Sequence, residues 1–520
     1  MSSAPHNILH IIADDLRPEL GAYGLENRST PNIDRLAAGG AVFDRAYAQQ
    51  AVCGPSRNSF MTGRRPDASR SWNFINHFRE DHPEWTSLPG LFVKAGRLAL
   101  GSGKIYHPML PPAYDGNLSW SPQALPFHNP CWNTADNPSA SFQDGGLPCV
   151  PCAIDIAAHL PIIKKFVNVT VGDDYCTTDA YEDTLTVAEA RKLLRIAAKA
   201  ATPFYLAVGV HKPHTPWQAA QVDFDAHPLA DVALPAHPHP PTNMPPIAFH
   251  FTDYALRPDP WTPAAPAATR AARRAYRAAV TGMDRKLGEL LTELDVLHLE
   301  NCTAVILHGD HGWHLGEGGE WRKMTNFEHA TRVPLIIRAP WLSSSPSAAA
   351  AAVRVAALVE LVDLYPTMAE LAGLALPKGE TLDGVSMVPL LRTRPPAITD
   401  GATSAWQSKP AAFSQYPRRV THTSEAWNHN SIIHHERTTF THMGYSARTP
   451  EWRFTEWVEW NQTSLKPVWG RVAARELYDH RNETTFPTDF DVGETENIAS
   501  HPEVASEVEA LAALVRQQFG

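Results

Sequence analysis

The chain has 520 residues, of which 43% are hydrophobic and 19% are charged, and its formal net charge is −10. This composition excludes a disordered chain and indicates a globular protein with a sizeable core. The acidic balance makes nucleic acid a poor candidate partner, because nucleic-acid binding needs a basic surface, although a locally basic site for a small anion is compatible with it.

Predicted strands and helices alternate along the first three quarters of the chain. An apolar run predicts a buried strand at Asn7–Ala13, with two acids directly after it. Further strands are predicted at Phe43–Ala48, Leu206–Val210, Ala304–Leu307 and Val333–Arg338. Helices are predicted at Asn32–Ala38, Ser56–Met61, Asp183–Ala200, Ala271–Leu297 and Val353–Leu371. Because such alternation builds mostly parallel sheets with helices on both faces, the sequence predicts an α/β fold.

Two pairs of potential metal ligands follow predicted strands. Asp14 and Asp15 come directly after the first strand, and Asp310 and His311 come shortly after the strand at Ala304–Leu307. Ligands in open α/β folds bind beyond the carboxyl ends of the strands, so we expect the two pairs to converge. Carboxylate oxygens suit Ca²⁺ or Mg²⁺, whereas an imidazole is a less usual ligand for such a hard cation. One Asp-Asp pair alone would predict a turn or a helix cap, but the second pair favours a metal site.

The chain changes character after about residue 395. Aromatic residues at Tyr445–Trp460 predict strands of a second, smaller sheet, and Glu503–Phe519 predicts an amphipathic closing helix. We therefore predict a larger domain at 1–395 and a C-terminal subdomain at 396–520. Two long irregular segments, Pro111–Cys152 and Leu234–Pro266, predict either the walls of a substrate cleft or surface decoration.

Cysteines and glycosylation sequons give indications about the compartment. Six cysteines in so long a chain are not a disulfide framework. Four of them share a loop-rich stretch, where one or two bridges or plain buried thiols are favoured over a zinc site, since no second CxxC pair follows: Cys131, Cys149, Cys152 and Cys176. Met1–Asn7 is too short and polar for a secretory leader, and no apolar run is long enough to span a membrane. A secretory route is nevertheless favoured by sequons, among them those at Asn117, Asn168, Asn301, Asn461 and Asn482.

The run Cys53–Arg57, with the sequence Cys-Gly-Pro-Ser-Arg, is followed by Thr-Gly-Arg at 62–64. Together these resemble the signature of the sulfatase family, whose cysteine is oxidised to formylglycine by a formylglycine-generating enzyme. The resemblance implies that enzyme as a partner and Cys53 as the precursor of the nucleophile. One hydroxyl of the hydrated aldehyde would attack sulfur and the other would expel sulfate, with Arg57 orienting the hydrate. The alternative is a structural cysteine.

The same resemblance assigns roles to the other polar residues. It implies one Ca²⁺ held by Asp14, Asp15, Asp310, His311 and the formylglycine at position 53. Lys104, in the run Gly-Lys-Ile-Tyr-His, would hold the sulfate and the hydroxyl of the nucleophile. His107 would accept the proton that lets sulfate leave, and His214 would bind sulfate and protonate the departing alcohol. Lys323 would clamp the sulfate and the bridging oxygen. For an isolated lysine or histidine, a solvated surface position is the alternative.

Resemblance covers nearly the whole chain and is strongest to the iduronate-2-sulfatases, one group in that family. Asp-Asp-Leu-Arg-Pro at 14–18, Ser-Gln-Tyr-Pro-Arg at 414–418 and Met-Gly-Tyr-Ser-Ala-Arg-Thr at 443–449 carry it. It implies an alkaline-phosphatase-like, mostly parallel sheet sandwiched by helices, with a catalytic domain at 1–395 and a smaller C-terminal sheet subdomain. The implied enzyme is a sulfuric ester hydrolase acting on a glycosaminoglycan or another sulfated polysaccharide. It would be a lysosomal or extracellular glycoprotein. Divergent loops leave the identity of its sugar substrate open.

Two other functions remain compatible with these motifs. A phosphate or phosphonate ester hydrolase of the same superfamily would share the site, although a two-zinc phosphatase needs an additional Asp/His ligand set that the sequence does not offer. A non-catalytic paralogue that binds sulfated glycans predicts damaged catalytic positions, and no matched position is damaged. A redox role for Cys53 lacks a nearby resolving cysteine.

Overall fold

The fold is that of a computed structural model, which describes residues 6–25, 29–108, 110–121, 182–200, 202–215, 217, 219–250, 262–342, 352–391, 409–420, 432–481 and 493–520. The strands are β1 (Asn7–Asp14), β2 (Ala41–Tyr47), β3 (Leu98–Gly103), β4 (Phe204–Pro213), β5 (Thr303–Gly309), β6 (His314–Leu315), β7 (Trp321–Arg322), β8 (Arg332–Arg338), β9 (Val353–Glu360), β10 (Ala412–Arg418), β11 (His442–Arg448), β12 (Trp452–Asn461) and β13 (Lys466–Asp479). The helices are α1 (Pro31–Ala38), α2 (Cys53–Thr62), α3 (Pro66–Ser69), α4 (Phe78–Asp81), α5 (Leu88–Lys94), α6 (Gly116–Ser119), α7 (Glu182–Ala200), α8 (Gln221–Asp225), α9 (Pro266–Val296), α10 (Glu328–Thr331), α11 (Leu364–Leu371), α12 (Val388–Leu391) and α13 (Ala505–Phe519).

A seven-stranded sheet runs through the larger part of the protein in the order β3-β4-β1-β5-β8-β2-β9. The first four strands in this order are parallel to one another, and β2 is parallel to β9. Only β8 is antiparallel to the strands on both of its sides, β5 and β2. The predicted mostly parallel α/β fold is therefore confirmed.

Helices cover both faces of this sheet, as the side chains of β1 illustrate. Leu9 and Ile11 belong to the apolar cluster formed with α1, α7 and α9. Ile8 and Ile12 belong to the cluster on the opposite face, formed with α2, α5 and α11. Because both faces are buried, the strand is a nearly continuous apolar run rather than an alternation of apolar and polar residues. Polar side chains on such a strand first reach a pocket where the strand ends.

The remaining strands form a second, antiparallel sheet in the order β10-β11-β12-β13, with α13 packed on one face. The predicted smaller C-terminal sheet is therefore confirmed. Val52 and Met324 of the larger part join the apolar cluster of this sheet. The backbone N–H of Gln415 in β10 donates to the carbonyl oxygen of Gln49 at 2.8 Å. The small sheet thus packs against the loop that precedes α2 and the segment that follows β7.

The prediction of one helix at Val353–Leu371 is wrong. Val353–Glu360 is strand β9, and helix α11 begins only at Leu364, after a 3₁₀ turn. The β-branched residues Val353, Val355 and Val359 favour a strand, and β9 completes the edge of the sheet by pairing with β2. Strand β3 and the short hairpin of β6 and β7 were not predicted.

Several sequence predictions lie outside the described residues. These include the cysteine cluster, the sequons at Asn168 and Asn482, most of Pro111–Cys152 and the domain boundary at 395–396. The described part of Leu234–Pro266 contains a 3₁₀ turn at Pro246–Ala248 and the first residue of α9. Among the residues that the structure describes, no helix is long and apolar enough to cross a membrane.

Candidate active site

Four adjacent strands of the large sheet end at one edge, and polar residues follow each of them. Asp14 ends β1 and Asp15 follows it, while Asp310 and His311 follow β5. Lys104 follows β3, and His214 follows β4. Because β3, β4, β1 and β5 are parallel neighbours, their carboxyl ends bring these side chains together, as the sequence predicted.

Cys53 is the first residue of α2 and lies in the middle of this group, with 1% of its surface exposed. Its Sγ lies 2.9 Å from Nζ of Lys323 and 3.3 Å from Nε2 of His311. Oδ1 of Asp15 is 3.9 Å from the same sulfur. Burial, together with the charge of nearby Asp14, raises the pKa of the thiol against the opposing effect of the lysines. The unmodified side chain is therefore a neutral thiol at neutral pH and a weak nucleophile.

The three aspartates differ in how well their oxygens are satisfied. Oδ1 of Asp310 accepts the backbone N–H groups of Asp15 and His311, each at 3.0 Å. Oδ2 of Asp15 is buried and has no hydrogen-bond partner among the described residues. Burial and the charges of Asp14 and Asp310 raise the pKa of Asp15 to about 7, although Lys323 opposes the shift. Asp15 also has a φ of 62°, a left-handed backbone conformation that is uncommon outside glycine and found at functional sites.

Arg57 binds two of these carboxylates from the next turn of α2. Its Nη2 lies 3.1 Å from Oδ1 of Asp14, and its Nε lies 2.9 Å from Oδ2 of Asp310. Its Nη1 donates to the carbonyl oxygens of Lys104 and, at 3.1 Å, of Ile105. A fully buried guanidinium held by four acceptors is rigid, so Arg57 positions the ends of β1, β3 and β5 relative to the start of α2.

Lys104 reaches Oδ2 of Asp14 from the end of β3, where their side chains form an ion pair. Gly103 has a φ of 80°, and a Cβ there would lie 2.1 Å from the carbonyl oxygen of Gly209. The absence of a side chain lets β3 approach β4 closely enough for the N–H of Lys104 to donate to Gly209 at 2.8 Å. The net effect of Lys104, His214, Arg57 and Lys323 outweighs burial and holds the pKa of Asp14 well below its usual range.

Lys323 enters the site from the segment after β7. Its Nζ lies 2.6 Å from Oδ1 of Asp15 and 5.5 Å from the ring centre of Trp313. The residues on either side, Arg322 and Met324, have φ values of 69° and 80°. Two left-handed residues separated by one position are costly in a regular chain, and such conformations occur where the surrounding structure holds a side chain in a required direction. Here that direction places an ammonium group against Cys53 and Asp15.

His214 lies beside the acids from the end of β4. Its Nδ1 donates to the carbonyl oxygen of Thr215 at 2.6 Å, so the unprotonated Nε2 faces Oδ2 of Asp15 at 3.9 Å. Burial lowers the pKa of His214 well below its usual value; Lys104 and Lys323 lower it further, while Asp14 opposes them. The ring is therefore neutral when no anion is bound.

His107 follows Lys104 by three residues and is half-buried. Its ring stacks on Phe74 with 3.9 Å between the ring centres. Burial and the charge of Lys104 lower its pKa well below the usual value, which indicates that the ring faces the cations of the site. The predicted role of His107 stays a prediction.

The donor set fits a divalent cation. One ligand atom from each of Asp14, Cys53, Asp310 and His311 lies within 4.8 Å of the others. Nδ1 of His311 donates to the Gly312 carbonyl oxygen at 2.9 Å, which leaves the lone pair of Nε2 facing carboxylate oxygens of Asp15 at 3.3 Å and Asp310 at 3.6 Å. Burial lowers the pKa of His311 to about 4, so the ring carries no second proton here, and the one hydrogen among the described residues that can reach this lone pair is that of the neutral Cys53 thiol, 3.3 Å away. A cation would satisfy these lone pairs and the unpartnered oxygen of Asp15.

Further side chains hold this edge of the sheet and were not predicted. The hydroxyl of Tyr276 on α9 donates to the Asp15 carbonyl oxygen at 2.9 Å and accepts the N–H of Arg17 at 3.0 Å. Oγ of Ser56 donates to the Asp310 carbonyl oxygen at 2.5 Å. Ser56 lies inside the cysteine motif, where its position was a usable signal. Tyr276 has no local sequence signal, because its partner is 261 residues away.

Comparisons with known proteins agree with this arrangement. A family model described as Sulfatase matches residues 6–99 and 155–374. Iduronate 2-sulfatase of Mus musculus is 33% identical to this chain over 514 residues, which cover 91% of this chain and 88% of the mouse protein. This level of identity over nearly the full length extends the match beyond the family model, into the C-terminal part.

Solved structures give the same fold. A structure in complex with its substrate D-glucosamine-2-N,6-O-disulfate matches with a TM-score of 0.67 at 19% identity, covering 99% of this chain and 98% of that chain. Phosphonate monoester hydrolase of Agrobacterium radiobacter also matches with a TM-score of 0.67 at 19% identity, covering 99% of this chain and 95% of that chain. At these identities the likeness establishes the fold and leaves the substrate open.

Proposed function

Because this chain belongs to the sulfatase family, and is thus a sulfuric ester hydrolase, we propose that it removes sulfate from a sulfated sugar through a nucleophile made from Cys53. The observation that carries the proposal is the environment of the Cys53 sulfur. It lies 2.9 Å from an ammonium group and 3.3 Å from an imidazole nitrogen, beside three aspartates and next to a second lysine. Cationic side chains and acids that could hold a metal ion surround one reactive atom. Such surroundings stabilise the negative charge of an anionic group while it is transferred.

Conversion of Cys53 to formylglycine would reconcile the deep burial of this residue with a role as nucleophile. Burial raises the pKa of the thiol, which makes Cys53 unsuited to attack as a thiolate. When formed, formylglycine supplies a hydrated aldehyde with one hydroxyl for attack on sulfur and a second for release of sulfate. We infer that a formylglycine-generating enzyme modifies Cys53 before folding, because the native position is fully buried and the signature Cys-x-Pro-Ser-Arg is intact.

The bound cation of the proposal is one Ca²⁺ held by Asp14, Asp15, Asp310 and His311 with the modified residue 53. When bound, it supplies positive charge that lowers the pKa of a coordinated hydroxyl and stabilises the oxygens of sulfate. The oxygen-rich donor set favours Ca²⁺ or Mg²⁺ over softer metals. Support comes from the unpartnered oxygen of Asp15 and the lone pair of His311.

Lys104 and Lys323 would bind the sulfate oxygens, and Arg57 would hold Asp14 and Asp310 in place. His214 would protonate the departing alcohol. Its low pKa in the structure comes from burial and from the two lysines, so a sulfate anion that neutralises the lysines would raise the pKa and allow the ring to carry the proton. His107 would accept the proton that accompanies sulfate release.

The proposed substrate is a sulfated glycosaminoglycan or a related sulfated polysaccharide. Support for a sugar comes from the full-length similarity to a protein named for iduronate sulfate hydrolysis. We further propose that the protein follows the secretory route to a lysosomal or extracellular site as a glycoprotein. The sequons at Asn117, Asn301 and Asn461 support this, since all three asparagines are exposed.

The decisive experiment is mass spectrometry of the Cys53 peptide from protein made in its native host, combined with rates on matched esters. Formylglycine at residue 53 and faster turnover of a sulfated disaccharide than of a phosphonate monoester are the expected results. An unmodified thiol in an inactive protein would instead support a non-catalytic glycan-binding paralogue. A large excess of phosphonate over sulfate hydrolysis would replace the proposal by the phosphonate hydrolase alternative.

A further inference from the structure

The hydroxyl of Tyr416 is a buried polar group that the proposed mechanism does not use. Tyr416 lies in β10 of the small sheet, and its side chain is 0% exposed. Its Oη has no hydrogen-bond partner in the part of the chain that the structure describes. An unpaired buried hydroxyl opposes folding, and native proteins keep few of them without a compensating role. A phenylalanine would fill the same apolar position without this loss.

The alternation of side chains along β10 shows where this hydroxyl points. Residues 414, 416 and 418 share one face of the strand. On that face, Oγ of Ser414 donates to the Ala48 carbonyl oxygen at 2.6 Å, in the loop before Cys53. Nη1 of Arg418 donates to the Met324 carbonyl oxygen at 2.9 Å, directly after Lys323. Tyr416 lies between these two anchors.

The cross-strand neighbour of Tyr416 is Gly444, which has no side chain to offer the hydroxyl a partner. The Arg418 guanidinium lies over the Tyr416 ring, 4.8 Å from its centre, and fixes the plane of the ring. The Tyr416 ring also shares an apolar cluster with Val52, the residue before Cys53. The side chain of Tyr416 is therefore rigid. Its hydroxyl, which lacks a partner among the described residues, faces the loops that carry Cys53 and Lys323.

The hydroxyl keeps its proton in this position. Burial raises the pKa of Tyr416, while Arg418 and Lys323 lower it and Cys53 raises it further. The net direction is upward, so the phenol is neutral at all working pH values and acts as a hydrogen-bond donor. The influence of Lys323 and Cys53 is consistent with the direction deduced from the strand.

We propose that the Tyr416 hydroxyl donates a hydrogen bond to an oxygen of the sulfate group when sulfate is bound between residue 53 and Lys323. This inference rests on the proposed function and adds one neutral donor to a site otherwise lined by charged groups. A tetrahedral anion presents oxygens in four directions, and the donors from the large sheet approach from one side. Tyr416 approaches from the small sheet, so the C-terminal part of the chain completes the binding site rather than only bracing it.

The test is sulfate binding by the Tyr416→Phe variant, which removes one oxygen atom and keeps the ring. Sodium sulfate is the probe, used as a competitive inhibitor of aryl sulfate hydrolysis and, on the Cys53→Ala background, as a stabilising ligand in thermal unfolding. We expect the inhibition constant for sulfate and the KM for the aryl sulfate to rise roughly tenfold, as for the loss of one hydrogen bond to a charged group. The variant should unfold at or above the wild-type temperature, because the hydroxyl has no partner to lose among the described residues and its burial opposes folding.

Tyr445→Phe is the matched control. Tyr445 lies in the adjacent strand and donates to Oδ2 of Asp67 at 2.7 Å, on the side of the sheet that packs against α13. Its loss should lower the unfolding temperature and leave sulfate inhibition unchanged.

An unchanged sulfate inhibition constant in Tyr416→Phe would overturn the inference, as would a fall in unfolding temperature equal to that of Tyr445→Phe. Absence of activity in the wild-type protein would count against the proposed function instead. The thermal assay on the Cys53→Ala background separates the two, since it measures sulfate binding without turnover.

Discussion

Two buried clusters in this protein are built from the same kinds of residue, acids and histidines, and they use them in opposite ways. The Cys53 pocket consists of Asp14, Asp15, Cys53, Asp310 and His311. The Glu328 cluster joins the large part of the protein to the small sheet and consists of Glu328, His480 and Glu494 with Arg448 and Arg453. Both sets are spaced closely enough to hold a metal ion, so spacing alone does not distinguish them.

The carboxylates of the Glu328 cluster are satisfied without any ligand. Glu328 accepts Nε of Arg448 at 2.9 Å and the Tyr47 hydroxyl at 2.9 Å. Glu494 pairs with Arg453 and accepts the N–H of Glu328 at 3.0 Å. Burial opposes ionisation, but Arg448 and the neighbouring cations outweigh it and lower the pKa of Glu328 to about 2. Permanent guanidinium charges thus satisfy the carboxylates.

In the Cys53 pocket, the neighbouring cations do not satisfy all of the carboxylate oxygens. Burial and the neighbouring acids raise the pKa of Asp15 to about 7, and one of its oxygens has no partner among the described residues. The two clusters differ in how far protein partners satisfy their acids. Saturation by arginine indicates a structural joint, whereas an unsatisfied oxygen beside a lone pair indicates capacity for a ligand.

The largest expected effect is on turnover by Cys53→Ala. We expect kcat/KM on a sulfate ester to fall by at least about 10³-fold, as for loss of a catalytic nucleophile. The free energy of unfolding should change by less than about 1 kcal/mol, because the sulfur fills no apolar core. Cys302→Ala is the control: this half-buried free cysteine lies outside the pocket and should be dispensable. Normal turnover by Cys53→Ala would refute the assignment of the pocket.

The second effect is on stability and concerns the Glu328 cluster. Glu328→Gln removes the carboxylate that accepts Nε of the buried Arg448 guanidinium, which should cost about 3–5 kcal/mol in the free energy of unfolding. The kcat of the folded protein should stay within about threefold of the wild type, since the cluster does not contact the reacting groups. Urea unfolding and kcat measured on the same sample test this.

Glu459→Gln is the comparison for that measurement. Glu459 pairs with Arg471 at 2.9 Å, and both side chains are exposed. Loss of an exposed pair should cost less than about 1 kcal/mol. Equal losses in the two variants would mean that the Glu328 cluster is not the structural joint described above.

The third effect is the difference between the Cys53 pocket and the Glu328 cluster in how a divalent cation changes the free energy of unfolding. Ca²⁺ added to chelated protein should raise the free energy of unfolding by about 2.7 kcal/mol at a hundred times its Kd. The gain should disappear in Asp15→Asn and persist in Glu328→Gln. Thermal unfolding with and without Ca²⁺ tests the prediction, and retention of the gain in Asp15→Asn would exclude Asp15 as a ligand.

The same experiment has a pH dependence with a defined sign. The folded pKa of Asp15, about 7, lies above its ordinary value, so its contribution to stability is present at low pH and is lost as pH rises from about 4 through 7. A bound cation offsets that loss. Stabilisation by Ca²⁺ should therefore be larger at pH 7.5 than at pH 5, because protons compete for Asp15 at the lower pH.

The smallest effect concerns a buried histidine pair that carries no charge. Nε2 of His10 and Nε2 of His308 are 2.7 Å apart, and the outer nitrogens bond to Tyr205 at 2.8 Å and to the Gly309 carbonyl oxygen at 2.7 Å. Burial lowers the pKa of His308 to about 4. Stability from this group is present above its unfolded pKa of 6.5 and is lost as pH falls from there toward 4.

Comparison of the wild type with a His10→Leu, His308→Val double variant tests this contribution. The slope of unfolding free energy against pH between 6.5 and 4 should be smaller in the double variant. Identical slopes would show that the pair does not stay neutral on folding.

Parts of the site were predictable because they depend on a general property of parallel sheets. Acids directly after two apolar runs, such as Asp14 and Asp310, had to lie at one edge once both runs were strands of one parallel sheet. The stacking of His107 on Phe74 was not predictable, since the two residues lie far apart in the chain. The helix predicted at Val353–Leu371 failed because an apolar run with alanines fits either period, and pairing with β2 decided between them.

Residues that are close together in the chain were enough to predict the fold class and the family, and they also carry the prediction that Cys53 is the reactive cysteine. Only the tertiary structure decided which buried acids are satisfied and which are not. The arginines of the Glu328 cluster lie 120 and 41 residues from their partners, and the hydroxyl of Tyr416 comes from the small sheet, whereas Cys53 lies in α2. Charge balance and hydrogen-bond satisfaction are sums over neighbours in space, and no local pattern in the chain records them.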